Sequence, residues 1–153
     1  MSPMSKLTID HNYKLFFVQV KKRIVAAQYE ALKQVNRHLI ELYWDLGKMI
    51  VSRQEKYNWG KSVVQNLAKD LQNEFPGMSG FSVQNLWYMR QFYLTYKGKK
   101  KLQPLVGEIS WTKHLVIISR CKDDSEREFY IKMKKYLPSP REIKRQLEQF
   151  EQE

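Results

Sequence analysis

The 153-residue chain contains a single cysteine, Cys121, which excludes an intramolecular disulfide and any cysteine-rich zinc module. A reducing cytoplasm is the compartment this cysteine usage fits. Long hydrophobic runs are also missing: the longest are a few residues, such as Leu115 to Ile118, so nothing in the sequence is suited to span a bilayer. The polar start Met1 to Ser5 is not followed by the apolar stretch of a secretory signal. Acidic residues are scarce, 16 Asp+Glu against 27 Lys+Arg, leaving a formal charge of +11. Aromatic residues are not scarce. At 13% aromatic and 42% hydrophobic the chain is too apolar to stay disordered and has enough material for one core. A cationic domain of this kind points to nucleic acid, an anionic membrane face or an acidic protein as partner.

The charge is unevenly placed. Between Gly77 and Lys122 lie eight basic residues, Arg90, Lys97, Lys99, Lys100, Lys101, Lys113, Arg120 and Lys122, against one acid, Glu108. A net +7 in 46 residues describes one basic face.

Apolar residues recur at 17, 20, 24, 27, 31, 35, 39, 42, 46 and 49, steps of three and four that mark one helical stripe. A continuous helix from Phe17 to Arg53 would be about 55 Å long, more than a small domain can cover. Either the helix breaks near Asn36 or Gly47, or a partner helix covers the stripe as in a coiled coil. A homodimer through the Phe17–Arg53 helix is therefore expected. Ser62 is the expected cap of a second helix with Val63, Val64, Leu67, Leu71 and Phe75 on one face. Ser82 caps a third, reaching Tyr96, with Leu86, Met89, Phe92 and Tyr93 at core spacing. A fourth opens at Ile109-Ser110-Trp111 with Leu115, Ile118 and Cys121 inward, and a fifth at Asp123-Asp124-Ser125, where acids suit the helix N-terminus. The expected fold is all-α, a long N-terminal helix plus a helix-turn-helix-like domain, with a short β wing admitted only between Lys97 and Ile109. The Pro138 to Pro140 break is expected to divide a helical domain of residues 1–137, for which DNA binding is the expected role on the grounds that follow, from a C-terminal helical arm of residues 138–153.

Helices Ser62 to Phe75 and Ser82 to Tyr96, joined by Pro76-Gly77-Met78-Ser79-Gly80, are the raw form of a helix-turn-helix, whose second helix meets base edges in the major groove. Its outward candidates for base contact are Gln84, Asn85, Tyr88, Arg90 and Gln91, because Gln and Asn can bond adenine, and Arg guanine, with two hydrogen bonds. Lys97, Lys99, Lys100, Lys101 and Lys113 are candidates for phosphate contact. The same residues also suit a plain helical hairpin with a solvated lysine loop. Gly77-Met78-Ser79-Gly80 matches the Gly-x-x-Gly loop of a KH-type RNA binder, although without a basic residue between the glycines.

No catalytic residues, metal site or cofactor are expected. His114 and Cys121 stand two helical turns apart, too far for a base to activate a nucleophile. His11, His38 and His114 form no His-x-x-x-His pair.

Asn36, the run Leu42-Tyr43-Trp44-Asp45-Leu46-Gly47, Trp59-Gly60, Leu67-Ala68-Lys69-Asp70-Leu71, Phe75-Pro76, Gly80-Phe81-Ser82, Asn85-Leu86, Met89-Arg90 and Phe92-Tyr93 resemble the amino-terminal domain of the bacterial YhcG-like nuclease family. Trp111, His114 and Arg127-Glu128-Phe129-Tyr130 continue the resemblance, which covers Tyr13 to Met133. It implies a helical, DNA-binding domain that usually precedes a PD-(D/E)xK nuclease domain. That second domain is not found before Glu153, so hydrolysis is not carried over, and a separate nuclease subunit is one implied partner. The expected function is a cytoplasmic targeting or regulatory module that binds duplex DNA, without catalytic activity and without membrane attachment. The competing class is a protein-interaction module meeting an acidic partner.

Overall fold

The computed structural model describes residues 3–134, which contain six helices and no strand. These are α1 (Pro3–Tyr57), α2 (Lys61–Glu74), α3 (Val83–Tyr96), α4 (Gln103–Val106), α5 (Trp111–Arg120) and α6 (Asp124–Lys134). The chain divides into two compact units, Met1–Gln34 and Val35–Glu153. The expected arm of residues 138–153, with its Pro138 break, lies outside the described residues.

The first unit is a stretch of α1, in which every side chain from residue 10 to 31 is exposed. Intrahelical ion pairs hold its polar residues, Lys14 to Asp10 at 3.4 Å and Lys33 to Glu30 at 3.6 Å. Tyr13 and Phe17 stack along the same face with ring centroids 6.4 Å apart.

The second unit is built around α3. Leu86, Met89, Phe92 and Tyr96 are fully buried, against Ile40, Tyr43 and Ile50 of α1, Val64 and Ala68 of α2, Ile117 of α5 and Ile131 of α6. Aromatic rings interlock edge to face at its centre. Phe92 meets Trp44 at 5.5 Å, Trp111 at 5.4 Å and Tyr96 at 5.5 Å, and Tyr43 meets Trp111 at 4.8 Å. Each such pair adds about 1 kcal/mol to the burial of its area.

Three expectations change here. First, α1 breaks at neither Asn36 nor Gly47; both sit in the buried stripe. Asn36 is 1% exposed, and its amide donates to the carbonyls of Gly107 at 3.3 Å and Ile109 at 3.1 Å, so a polar residue can lie in the core without an unpaired donor. Gly47 is there because the chain of α3 passes against it: a Cβ at this position would stand 2.1 Å from the Met89 carbonyl oxygen. The buried stripe thus runs through 36, 40, 43, 47 and 50, one residue out of phase with the expected one, and Leu42 and Met49 are exposed. Second, Ser62 does not cap α2. Its N-cap is Gly60, without a side-chain cap bond. Phe75, expected in the core, is 46% exposed.

Third, no β wing lies between Lys97 and Ile109. Successive turns bond locally instead, with Lys99 N to Tyr96 O, Leu102 N to Lys99 O, Leu105 N to Leu102 O and Glu108 N to Leu105 O. Pro104 suits the first turn of α4, where a missing N–H does no harm, and Leu102 and Val106 turn inward from it. Ser82 and Ser110 do cap α3 and α5, each accepting from the backbone N–H three residues on. Asp123 accepts from Glu126 N at 2.9 Å at the start of α6.

Candidate nucleic-acid interface

The connection between α2 and α3 covers residues 75–82, longer than the three or four residues of a standard helix-turn-helix. It is pinned from several sides. Gly77 and Gly80 take φ of +86° and +102°, and a Cβ on Gly80 would meet the Tyr43 hydroxyl at 2.5 Å. Gln72 donates to Phe81 O at 3.1 Å and Asn85 to Gly80 O at 2.7 Å. Both glycines of the Gly-x-x-Gly run are thus explained by backbone shape and packing. With no strand among the described residues, the sheet that a KH domain requires is missing there.

The five base-contact candidates have different surroundings. Asn85 is a structural tie: its carbonyl oxygen accepts from Trp111 Nε1 at 2.8 Å while its amide holds Gly80. Arg90 is half-buried, donating from Nε to Gln54 Oε1 at 2.6 Å with its guanidinium 5.5 Å from the Trp87 ring centroid. Gln84, Tyr88 and Gln91 share one face of α3 at i, i+4 and i+7 spacing; the two glutamines are exposed, and Tyr88 is half-buried against the core. Gln84 donates to the Tyr88 hydroxyl at 3.1 Å.

The lysines divide as well. Lys97 follows the last residue of α3, its N–H bonding Tyr93 O at 2.8 Å, and Gly98 turns the chain with φ of +73°. Lys97, Lys100 and Lys101 are exposed. Lys99 makes an ion pair with Asp124, which also accepts from Arg127 Nη1 at 2.9 Å. The Lys99 hydrogen bond, followed in effect by that of Arg127, holds the Asp124 carboxyl below its usual range. Lys132 does the same for Glu128, with a smaller contribution from the charge of Lys101. Lys113 belongs to α5 and lines a groove of about 710 Å³ between α5 and α6, together with Val116, Arg120, Phe129 and Tyr130.

His114 was expected to carry no chemistry, and its surroundings were not foreseen. It is fully buried, its Nε2–H donating to Val106 O at 2.7 Å, with Phe92 and Tyr96 rings packed at 4.9 and 5.9 Å. Burial lowers its pKa to about 4, so the ring is neutral at pH 7. Leu115 and Ile118, expected inward, are half-buried; the buried face of α5 is Trp111, His114 and Ile117, continued by Cys121 at its C-cap. Burial pushes the Cys121 thiol up, which keeps it a poor nucleophile. Among the described residues no group of three His, Cys, Asp or Glu side chains is placed to hold a metal, and no helix is long and apolar enough to cross a membrane.

The family described as the DUF1016 N-terminal domain matches residues 19–151, most of the chain. The chain belongs to this family. It is also similar to the protein named "Putative nuclease YhcG" of Escherichia coli (strain K12), at 29% identity over 89 residues, 56% of this chain. The chain spans 23% of the length of that relative. No solved structure matches it. The DUF1016 N-terminal domain is thus all-α here, and it is associated with a nuclease through the relative's name.

Proposed function

We propose that the chain binds duplex DNA in the cytoplasm as the targeting part of a YhcG-like nuclease system, and does not itself cleave. The observation that carries this is the strip of α3 formed by the exposed Gln84 and Gln91 with the half-buried Tyr88 between them, followed directly by the exposed Lys97, Lys100 and Lys101. Amide and phenol groups on one helix face suit base edges, and flanking ammonium groups suit phosphates. Lys99 is left out of the phosphate set because it serves Asp124.

The test is fluorescence anisotropy on mixed-sequence duplex DNA over a range of salt. Affinity should fall steeply as salt rises. Changing Lys97, Lys100 and Lys101 together to Glu should weaken binding to all sequences, and replacing three phosphate contacts should lower the salt slope by about three. Gln91→Ala should instead shift preference among sequences. Unchanged binding in the triple variant removes the phosphate assignment, and metal-dependent nicking by the purified chain, abolished by a carboxylate substitution, replaces the non-catalytic reading.

A protein-interaction role is the second reading. It is favoured by the α5–α6 groove, where the exposed Val116, Phe129 and Tyr130 lie beside Arg120 and Glu126, an apolar surface with a charged border suited to a protein partner such as a separate nuclease subunit. Absence of DNA binding at physiological salt would favour it.

A further inference from the structure

Residues 10–31 are a stretch of α1 whose apolar side chains have no cover. Nine large apolar side chains between Tyr13 and Tyr29 are each 37–60% exposed, whereas single exposed apolar residues scattered on a surface need no explanation. Five of them, Tyr13, Phe16, Phe17, Val20 and Ile24, share one side of the helix. Tyr13, Phe17, Val20, Ile24, Ala27 and Ala31 follow one another in alternating steps of four and three, the a and d positions of a heptad repeat. With about half of each of the five side chains Tyr13, Phe16, Phe17, Val20 and Ile24 in water, the free area on this side of the helix is on the order of 500 Å², so that a pair of such faces reaches about 1,000 Å², the lower bound of a specific interface.

The charges decide what can cover this face. Lys21, Lys22 and Arg23 form a cationic cluster near the middle of the repeat. An antiparallel pair overlapping along residues 13–31 has its centre at residue 22 and sets that cluster against its own copy. A parallel, in-register pair does not. There the g position Phe16 lies beside Lys21 of the other copy, whose methylene stem can cover the ring, and Arg23 lies beside the neutral Gln28. The two small residues Ala27 and Ala31 let the helices approach at the end nearer the second unit.

We propose that residues 13–31 form a parallel two-stranded coiled coil with a second copy of this chain. The contact is confined to this segment, because the positions that would continue the repeat, Gln34, His38, Glu41, Asp45 and Lys48, are polar or charged. It holds independently of whether the chain binds DNA.

The full chain should sediment as a dimer at micromolar concentration. Changing Phe17 and Ile24 together to Asp should weaken dimerisation by on the order of 100-fold or more while the unfolding transition of the second unit is kept. Gln19→Asp, on the opposite side of the same helix, should leave the dimer intact. Ile24→Cys should give a covalent dimer under mild oxidation, since only in-register pairing brings position 24 to its own copy, and the buried Cys121 supplies no competing thiol. A monomer, a trimer or larger assembly, a double Asp variant that stays dimeric, or an Ile24→Cys chain that does not cross-link would each overturn the proposal.

Discussion

Residues 10–31 and residues 36–51 belong to one helix and both carry regular apolar stripes, yet the first stretch is exposed throughout while the second holds Ile40, Tyr43, Ile50 and Val51 in the core. Hydrophobic periodicity does not separate them. What distinguishes the second stretch is a pair of residues that add nothing to an apolar stripe, the polar Asn36 and the side-chain-less Gly47. The amide of Asn36 satisfies two carbonyls contributed from more than 70 positions away, and the missing side chain of Gly47 admits the backbone of α3. Packing within the unit therefore depends on polar fit and backbone approach as much as on apolar area. The free stretch has neither device, and its face is regular enough to meet another helix.

The largest break in this contrast is expected from Gly47→Ala. A methyl group 2.1 Å from the Met89 carbonyl oxygen forces α1 and α3 apart, and the loss should be about 3 kcal/mol or more, seen as a thermal midpoint lowered by on the order of 10 °C. Ala26→Leu, on the solvent side of the free stretch, should change stability by less than about 0.5 kcal/mol. Equal effects of the two would erase the distinction between the halves.

Acidification should also act on the packed unit. The folded pKa of His114 is depressed to about 4 from an ordinary value near 6.5, so its contribution is complete above pH 6.5 and is lost as pH falls toward 4, where the unfolded chain takes up a proton that the folded one refuses. Between pH 7.5 and 5 this amounts to about 2 kcal/mol, measurable as a falling urea midpoint. His114→Leu should start less stable, because Val106 O loses its donor, but should show a flatter pH profile over that range. A profile with the same slope would place the titration elsewhere.

The smallest effect is expected from charge. Asp124→Asn weakens the pairing with Lys99 and Arg127 at the surface, and the change in stability should stay under about 1 kcal/mol, as for the Lys14–Asp10 pair of the free stretch. Its more useful readout is DNA affinity, which should rise if release of Lys99 adds a phosphate contact.

Much of the second unit was legible in local sequence. Ser82 caps α3 as its residue type suggests, α5 opens at Ile109-Ser110-Trp111 as expected, and Leu86, Met89 and Phe92 are buried as their spacing requires, with Tyr93 half-buried. Both stripes that were misplaced failed for one reason. In α1 and α5 the buried face includes a polar residue, Asn36 and His114, and counting apolar residues steps past it by one position. The candidate site was legible as a set and not as individuals. Gln84, Tyr88 and Gln91 share a face by helical spacing, but the commitment of Asn85 to Gly80 and Trp111, and of Lys99 to Asp124, depends on partners up to 26 residues distant.

The sequence by itself determined the helical class, the cap of α3 at Ser82, the heptad face of residues 13–31 and the concentration of positive charge after Gly77, because each follows from residue type and short-range spacing. Only the tertiary structure decided which polar residues are buried, which cations already have a partner, and where along α1 burial begins. Those depend on hydrogen-bond donors, acceptors and backbone surfaces brought together by folding, and local periodicity contains no record of them.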